Sequence, residues 1–163
     1  MASWSEVERA APELAGAVKE RFEAYGLALL ATLRRDGSPR ISGLEPLFAS
    51  GELWLGMMPD SRKADDLLRD PRFALHNATT DKAVTNGDVK VNGRAVPVEG
   101  EAGTEAFRAA FKAHTGTDIP AGPIRLFRAD VTDISSLRPG PGGDHLIIEW
   151  WREGEPPHRV ERR

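Results

Sequence analysis

The chain has 163 residues, a formal net charge of −3, 40% apolar residues and no cysteine. That length and apolar content give one folded domain with a sizeable core, and the missing cysteine excludes a disulfide framework, thiolate chemistry and cysteine-ligated zinc. The slightly acidic balance lacks the dense basic tract of a general nucleic-acid binder, no apolar run approaches a membrane span, and an acidic N-terminal segment stands where a secretory signal would be cationic, so the chain reads as cytoplasmic.

Ala11 to Tyr25 predicts a helix: Pro12 suits its first turn, Leu14, Val18 and Phe22 mark one face, and Gly26 ends it. Leu27 to Leu33 is an apolar run of strand length, Asp36-Gly37 is a turn signal, and Pro39 to Phe48 is a second strand paired with the first as a hairpin. Arg40, Ser42 and Glu45 interrupt that second strand, and Gly43 marks a bulge or a close approach of the backbone to something else. Ser50-Gly51 turns the chain into a third strand, Leu53 to Met58, so the first three strands read as a meander.

Gly56 to Leu75 is the most informative stretch. A strand ends there, Ser61 sits at the N-cap position of a short helix, and Ala64, Leu67 and Leu68 give that helix an apolar stripe before Asp70-Pro71 stops it. Arg62 and Lys63 fall in its first turn, where the aligned peptide dipoles already place positive charge. An anion reverses the sign of that repulsion. A hydroxyl, free N–H groups and two cations then converge on one point, the recipe for a phosphate site.

Arg72 to Asn77 is a fourth strand, Thr79 to Gly87 a polar loop, and Val89 to Val98 a fifth strand with a bulge or tight turn at Asn92-Gly93. Phe107, Ala110, Phe111 and His114 share a helical face that Gly116 terminates. Ile124 to Val131 and His145 to Trp151 are two more strands, separated by the proline- and glycine-rich loop Pro139 to Gly143. About seven strands and three helices, with turns alone between the first strands, favour a closed or partly closed antiparallel barrel over a parallel sheet. No dinucleotide fingerprint, P-loop, nucleophile elbow or metal-ligand spacing of histidines occurs, and none of the four histidines has a compelling catalytic partner.

The order of LLATLRRDGSPRISGLEPLF, ELWLGMM, SRKADDLLRDPRFAL and VKVNGRAVPVEG resembles the pyridoxamine 5′-phosphate oxidase-like superfamily of flavin-binding split β-barrels, over roughly residues 27–151. The resemblance implies a mainly β, α+β fold: an antiparallel split β-barrel of about six to seven strands with flanking helices. One domain would span 1–163, with an N-terminal helix at 11–25, the barrel at 27–151 and a tail at 152–163. In that family a Ser-Arg-Lys triplet after the third strand grips the cofactor phosphate, which here means Ser61, Arg62 and Lys63. By the same resemblance Arg40, Ile41, Ser42 and Gly43 lie along the cofactor, Met57 and Met58 touch it through their backbone, and Asn77 and Trp150 complete the contacts.

The implied protein is an FMN-dependent oxidoreductase acting on a small organic substrate, a homodimer with the cofactor at its interface, without metal, membrane or nucleic acid. True pyridoxamine phosphate oxidases carry a lysine further along the second strand, where this chain has Glu45, and an Arg-Leu-His type motif near the C-terminus that is missing here. The expected activity is therefore not vitamin B6 oxidation. The same fold with the deazaflavin F420, or a haem- or flavin-binding barrel without turnover, are the alternatives.

Overall fold

The computed structural model describes residues 2–79 and 81–163; Thr80, within the expected polar loop, lies outside them. The elements run α1 (Trp4–Ala10), α2 (Pro12–Glu23), β1 (Ala28–Leu33), β2 (Pro39–Leu44), β3 (Pro46–Ala49), β4 (Glu52–Met57), α3 (Arg62–Arg69), β5 (Arg72–Asn77), β6 (Asp88–Pro97), α4 (Glu101–Thr115), β7 (Arg125–Pro139), β8 (Leu146–Arg152) and β9 (His158–Arg162). All strand pairings are antiparallel, in the order β2-β1-β5-β6-β7-β4-β3, with β8 on β7 and β9 on β8. The sheet does not close, and the fold is that of a split barrel in the α+β class. Among the described residues no helix is long and apolar enough to cross a membrane.

The expected hairpin forms as Ala28–Leu33 against Pro39–Leu44. Its turn is built as the sequence requires: Gly37 has φ 82°, and Asp36 Oδ1 accepts from Ser38 N at 3.0 Å and Ser38 Oγ at 2.6 Å. The expected meander does not form. Pro46 has no N–H to donate and restricts Glu45 before it, so the stretch 39–48 breaks into β2, which stays with β1, and β3, which pairs with β4. β4 then pairs with β7.

Strand β7 is far longer than the expected 124–131, and it holds the two halves of the barrel together. Its first residues pair with β4 and its last with β8, while β6 follows it almost throughout. The ladder slips at Asn92/Gly93, where Gly93 faces Val131 and Asn92 faces Asp133, leaving Thr132 unmatched. The Asn92-Gly93 signal is therefore a bulge, not a turn. A Cβ on Gly93 would run into the Asp130 carbonyl, so only glycine fits. Between its β4 and β8 partners β7 is capped by the chain's start: Val131 N donates to Ala2 O at 2.9 Å and Ala2 N to Asp130 Oδ1 at 2.9 Å.

The core lies inside the curved sheet and is filled by α1 and α2. Trp4, Val7, Val18 and Phe22 are all buried, with Trp4 set edge-on to Phe48 at a 4.6 Å centroid separation. α1 has no counterpart in the expected elements. Strand β4 alternates between two cores: Leu53, Leu55 and Met57 face inward, while Trp54 faces α4 with Leu47, Phe107 and Leu126. The C-terminal residues expected as a tail form β9 against β8.

Candidate functional site

Helix α3 is held at both ends by different chemistry. Toward its C-terminal half, Asp66 points into the protein with its side chain only 4% exposed. Its Oδ2 accepts from Arg40 Nε at 2.6 Å and Thr32 Oγ1 at 2.8 Å, and its Oδ1 from Arg69 Nη2 at 3.1 Å. Thr32 and Arg40 are direct cross-strand partners on β1 and β2, so one carboxylate ties the helix to the hairpin. Arg69 also donates to the Leu33 carbonyl. Burial raises the Asp66 carboxyl, but the three donated bonds outweigh it and hold the group below the ordinary carboxylate range.

The helix start has the opposite character. Ser61 occupies the N-cap with φ −73° and ψ 121°, yet its hydroxyl makes no capping bond. The Ser61 carbonyl accepts from Ala64 N and Asp65 N, which leaves the first-turn N–H groups of Arg62 and Lys63 without an intrahelical acceptor. Arg62 is exposed, and among the described residues no carboxylate pairs with it or with Lys63. Lys63 is half-buried and reaches across to β2, its Nζ donating to Gly43 O at 2.5 Å. Burial pushes the Lys63 ammonium below its usual range. Two unneutralised cations, an idle hydroxyl and free N–H groups suit a phosphate, so the residues present fit a phosphate-bearing cofactor here.

This corner opens onto a cleft of about 720 Å³. Gly43 and Glu45 form one side, Met57 and Met58 the end of β4, and Phe107 and Phe111 of α4 with residues 119–124 the far wall. Gly56 lets α4 seat: a Cβ there would stand 2.7 Å from the Phe107 ring. Trp54, Phe107 and Phe111 continue as a run of rings about 6.0 and 6.1 Å apart. A Cβ on Gly43 would meet only Leu27 Cδ1 at 3.7 Å, so the backbone of β2 faces open space at this point. The cleft is thus charged at the α3 end and apolar at the α4 end, a shape suited to a flat ring on a phosphate-bearing tail.

Of the expected site residues, Gly43, Met57, Met58 and Lys63 line this cleft; Ser61 and Arg62, beside Lys63 at the start of α3, do not line it. Met57, the last residue of β4, is buried, and Met58 just beyond it is exposed. Arg40 is held by Asp66 through Nε. Ile41 is 71% exposed on the outer face of the hairpin, with Ser42 next to it half-buried. Asn77 is buried, its Oδ1 accepting from Val89 N at 2.8 Å, a bond that fastens β5 to β6. Trp150 lies on β8, stacked on His158 at 5.1 Å, and does not line the cleft.

Sequence reasoning missed Asp66 as a tether and residues 119–124 as a wall. Thr32 and Arg40, facing each other across a hairpin, were the available signal for a buried carboxylate between them. No histidine lines the cleft: His76 lies between Asn77 O at 2.5 Å and Asp88 Oδ1 at 2.6 Å, and His114 and His145 face Glu23 and Asp144. Among the described residues no group of three or more histidine, aspartate or glutamate side chains is disposed to hold a metal.

The sequence model of the pyridoxamine 5′-phosphate oxidase family matches residues 14–138. Among solved structures, a conserved hypothetical protein from Mycobacterium tuberculosis is 25% identical with a TM-score of 0.55, over 68% of this chain and 75% of that one. A pyridoxamine 5′-phosphate oxidase-related, FMN-binding protein from Nostoc punctiforme is 12% identical with a TM-score of 0.63, over 94% of this chain and 96% of that one. A haem-binding protein from Mycobacterium smegmatis is 18% identical with a TM-score of 0.57, over 88% of this chain and 57% of that one. The last two likenesses speak for the fold alone. No curated protein matches the sequence.

Proposed function

This chain belongs to the pyridoxamine 5′-phosphate oxidase family, and we propose that within it the protein is an FMN-dependent oxidoreductase acting on a small organic substrate. The observation that carries this reading is the start of α3, where Arg62 and Lys63 crowd a positive helix end with no carboxylate partner among the described residues and Lys63 lines an apolar cleft. A bound flavin supplies hydride chemistry through its ring. The protein's own part is to bind and orient. Arg62, Lys63 and the first-turn N–H groups would take the phosphate, Gly43 would let the β2 backbone approach the ring, and Met57, Phe107 and Phe111 would keep water from its apolar end.

Glu45 supports a substrate other than pyridoxamine phosphate, because its carboxylate at the cleft disfavours a second phosphate there. A homodimer fits the exposed apolar positions: Ile41 at 71% and Met58 at 79% exposure, with Leu29 beside Gly43 on the hairpin's outer face. A partner copy seated there would cover the ring, and Trp150 would reach a ring only from such a copy. The deazaflavin F420 suits the same cations, and among the described residues no histidine lines the cleft to ligate a haem iron there.

Purified protein decides among these. Flavin absorption and fluorescence, FMN in the extracted ligand and a dimer on gel filtration are the expected results. A Soret band, a polyglutamylated deazaflavin or no ligand uptake on titration with FMN would sink the reading.

A further inference from the structure

Residues 117–124, between α4 and β7, carry no regular structure, yet 119–124 form one wall of the cleft. Among the described residues, none of their backbone groups bonds to another backbone group. At their start Thr117 N donates to Thr115 Oγ1 at 3.2 Å, and beyond that point the main polar attachment is one side chain. Arg108 of α4 donates from Nη1 to Ile119 O at 2.9 Å and Pro120 O at 2.7 Å, and from Nη2 to Gly122 O at 2.6 Å. The Lys112 to Asp118 ion pair at 2.9 Å is well exposed on both sides and adds little.

The segment is also thin. Ile119, Gly122 and Ile124 face the cleft on one side and, on the other, a second hollow of about 560 Å³ bordered by Glu101 and Glu105. Gly116 at φ 72° and Gly122 at φ 135° give it joints, and Pro120 and Pro123 stiffen what lies between and beyond. A stiff segment with glycine joints, room on both sides and one three-bond fork is built to move as a unit. The guanidinium is planar and presents its donors as a fixed fork, so one side chain holds three neighbouring carbonyls at once.

We propose that residues 117–124 are a strap latched by Arg108, which swings into the outer hollow to admit a flat apolar ligand to the cleft and closes over it. Arg108 is a positioning residue, acting through the strap and touching no ligand. The proposal rests on the reading that the cleft takes a flavin ring, and its test separates the two.

Endoproteinase Asp-N cleavage of the Thr117–Asp118 bond, located by mass spectrometry, reports opening in the protein without FMN. Arg108→Ala is expected to be cut there about tenfold faster than wild type, with Arg108→Lys between them, because the loss of even one charge-assisted bond shifts a local opening equilibrium by that factor. Stopped-flow binding of FMN should then show association and dissociation both faster, by about tenfold, with Kd within about threefold, the signature of a gate rather than of a lost contact. Cleavage unchanged in both variants overturns the latch, as does cleavage spread over the core strands. Faster cleavage at Thr117–Asp118 with no FMN binding by wild type supports the latch and overturns only the flavin reading.

Discussion

Helix α3 presents two charged regions of opposite kind. At Asp66 a carboxylate sits inside the protein with Thr32, Arg40 and Arg69 around it, every oxygen answered by a donor. At Ser61, Arg62 and Lys63 two cations sit where the helix dipole repels them, and among the described residues no carboxylate answers. The first arrangement stabilises a fold and the second does not, since like charge at a helix N-terminus costs about 0.3 to 1 kcal/mol. On the function proposed above, an anion from outside the chain accounts for the two cations.

Mutation should therefore separate the two regions cleanly. The largest effect belongs to Arg62→Ala with Lys63→Ala: FMN affinity, read by quenching of flavin fluorescence, is expected to fall by about 3 kcal/mol or more, since each charge-assisted contact contributes about 1.5 to 3. Thermal stability of the protein without FMN should hold. Full FMN occupancy in the double variant would erase the distinction drawn here.

Asp66→Asn should show the inverse profile, a loss of about 3 kcal/mol in urea unfolding, because two arginines and a threonine lose their common charged acceptor in a largely buried place. Its pH dependence sharpens the contrast. The folded carboxyl titrates below its unfolded value, so its contribution is complete above about pH 4 and drains as pH falls through the lower folded value. Wild type and Asp66→Asn should thus converge in stability below that pH; parallel curves would show that Asp66 acts through shape alone.

Gly56→Ala tests the apolar end of the cleft. Its methyl would press on the Phe107 ring, with an expected cost of about 1 to 3 kcal/mol measured by urea unfolding. The smallest effect is the most pointed. Arg62→Ala alone, at low salt and without FMN, should raise stability by about 0.3 to 1 kcal/mol, as removal of a repelled charge predicts. A loss instead would mean that Arg62 has a partner within the chain.

The charged corner was legible because its signal is local: Ser61, Arg62 and Lys63 are consecutive and stand beside a strand end. The hairpin at Asp36-Gly37 and the strand Arg72–Asn77 were legible for the same reason. Asp66 was not, because its inward turn depends on Thr32 and Arg40, 34 and 26 residues away, and in the helix it resembles Asp65, which is exposed. Strand β9 was hidden because HRVER is exposed at every position and so has no apolar alternation to read. The break at Glu45-Pro46 is visible as a proline, but which strand each half joins depends on β4 and its distant partner β7, so the pairing is not.

The junction where Ala2 meets Asp130 and Val131 joins residues 128 apart along the chain. Contacts between residues so distant along the chain repay their ordering only once the intervening structure is in place, so this seam is expected to form after the folding barrier has been crossed. Its bonds are then absent from the transition state and weigh on the return journey alone. Trp4, buried just inside, holds the native form against escape, and Trp4→Ala should quicken unfolding while leaving the refolding rate nearly as it was.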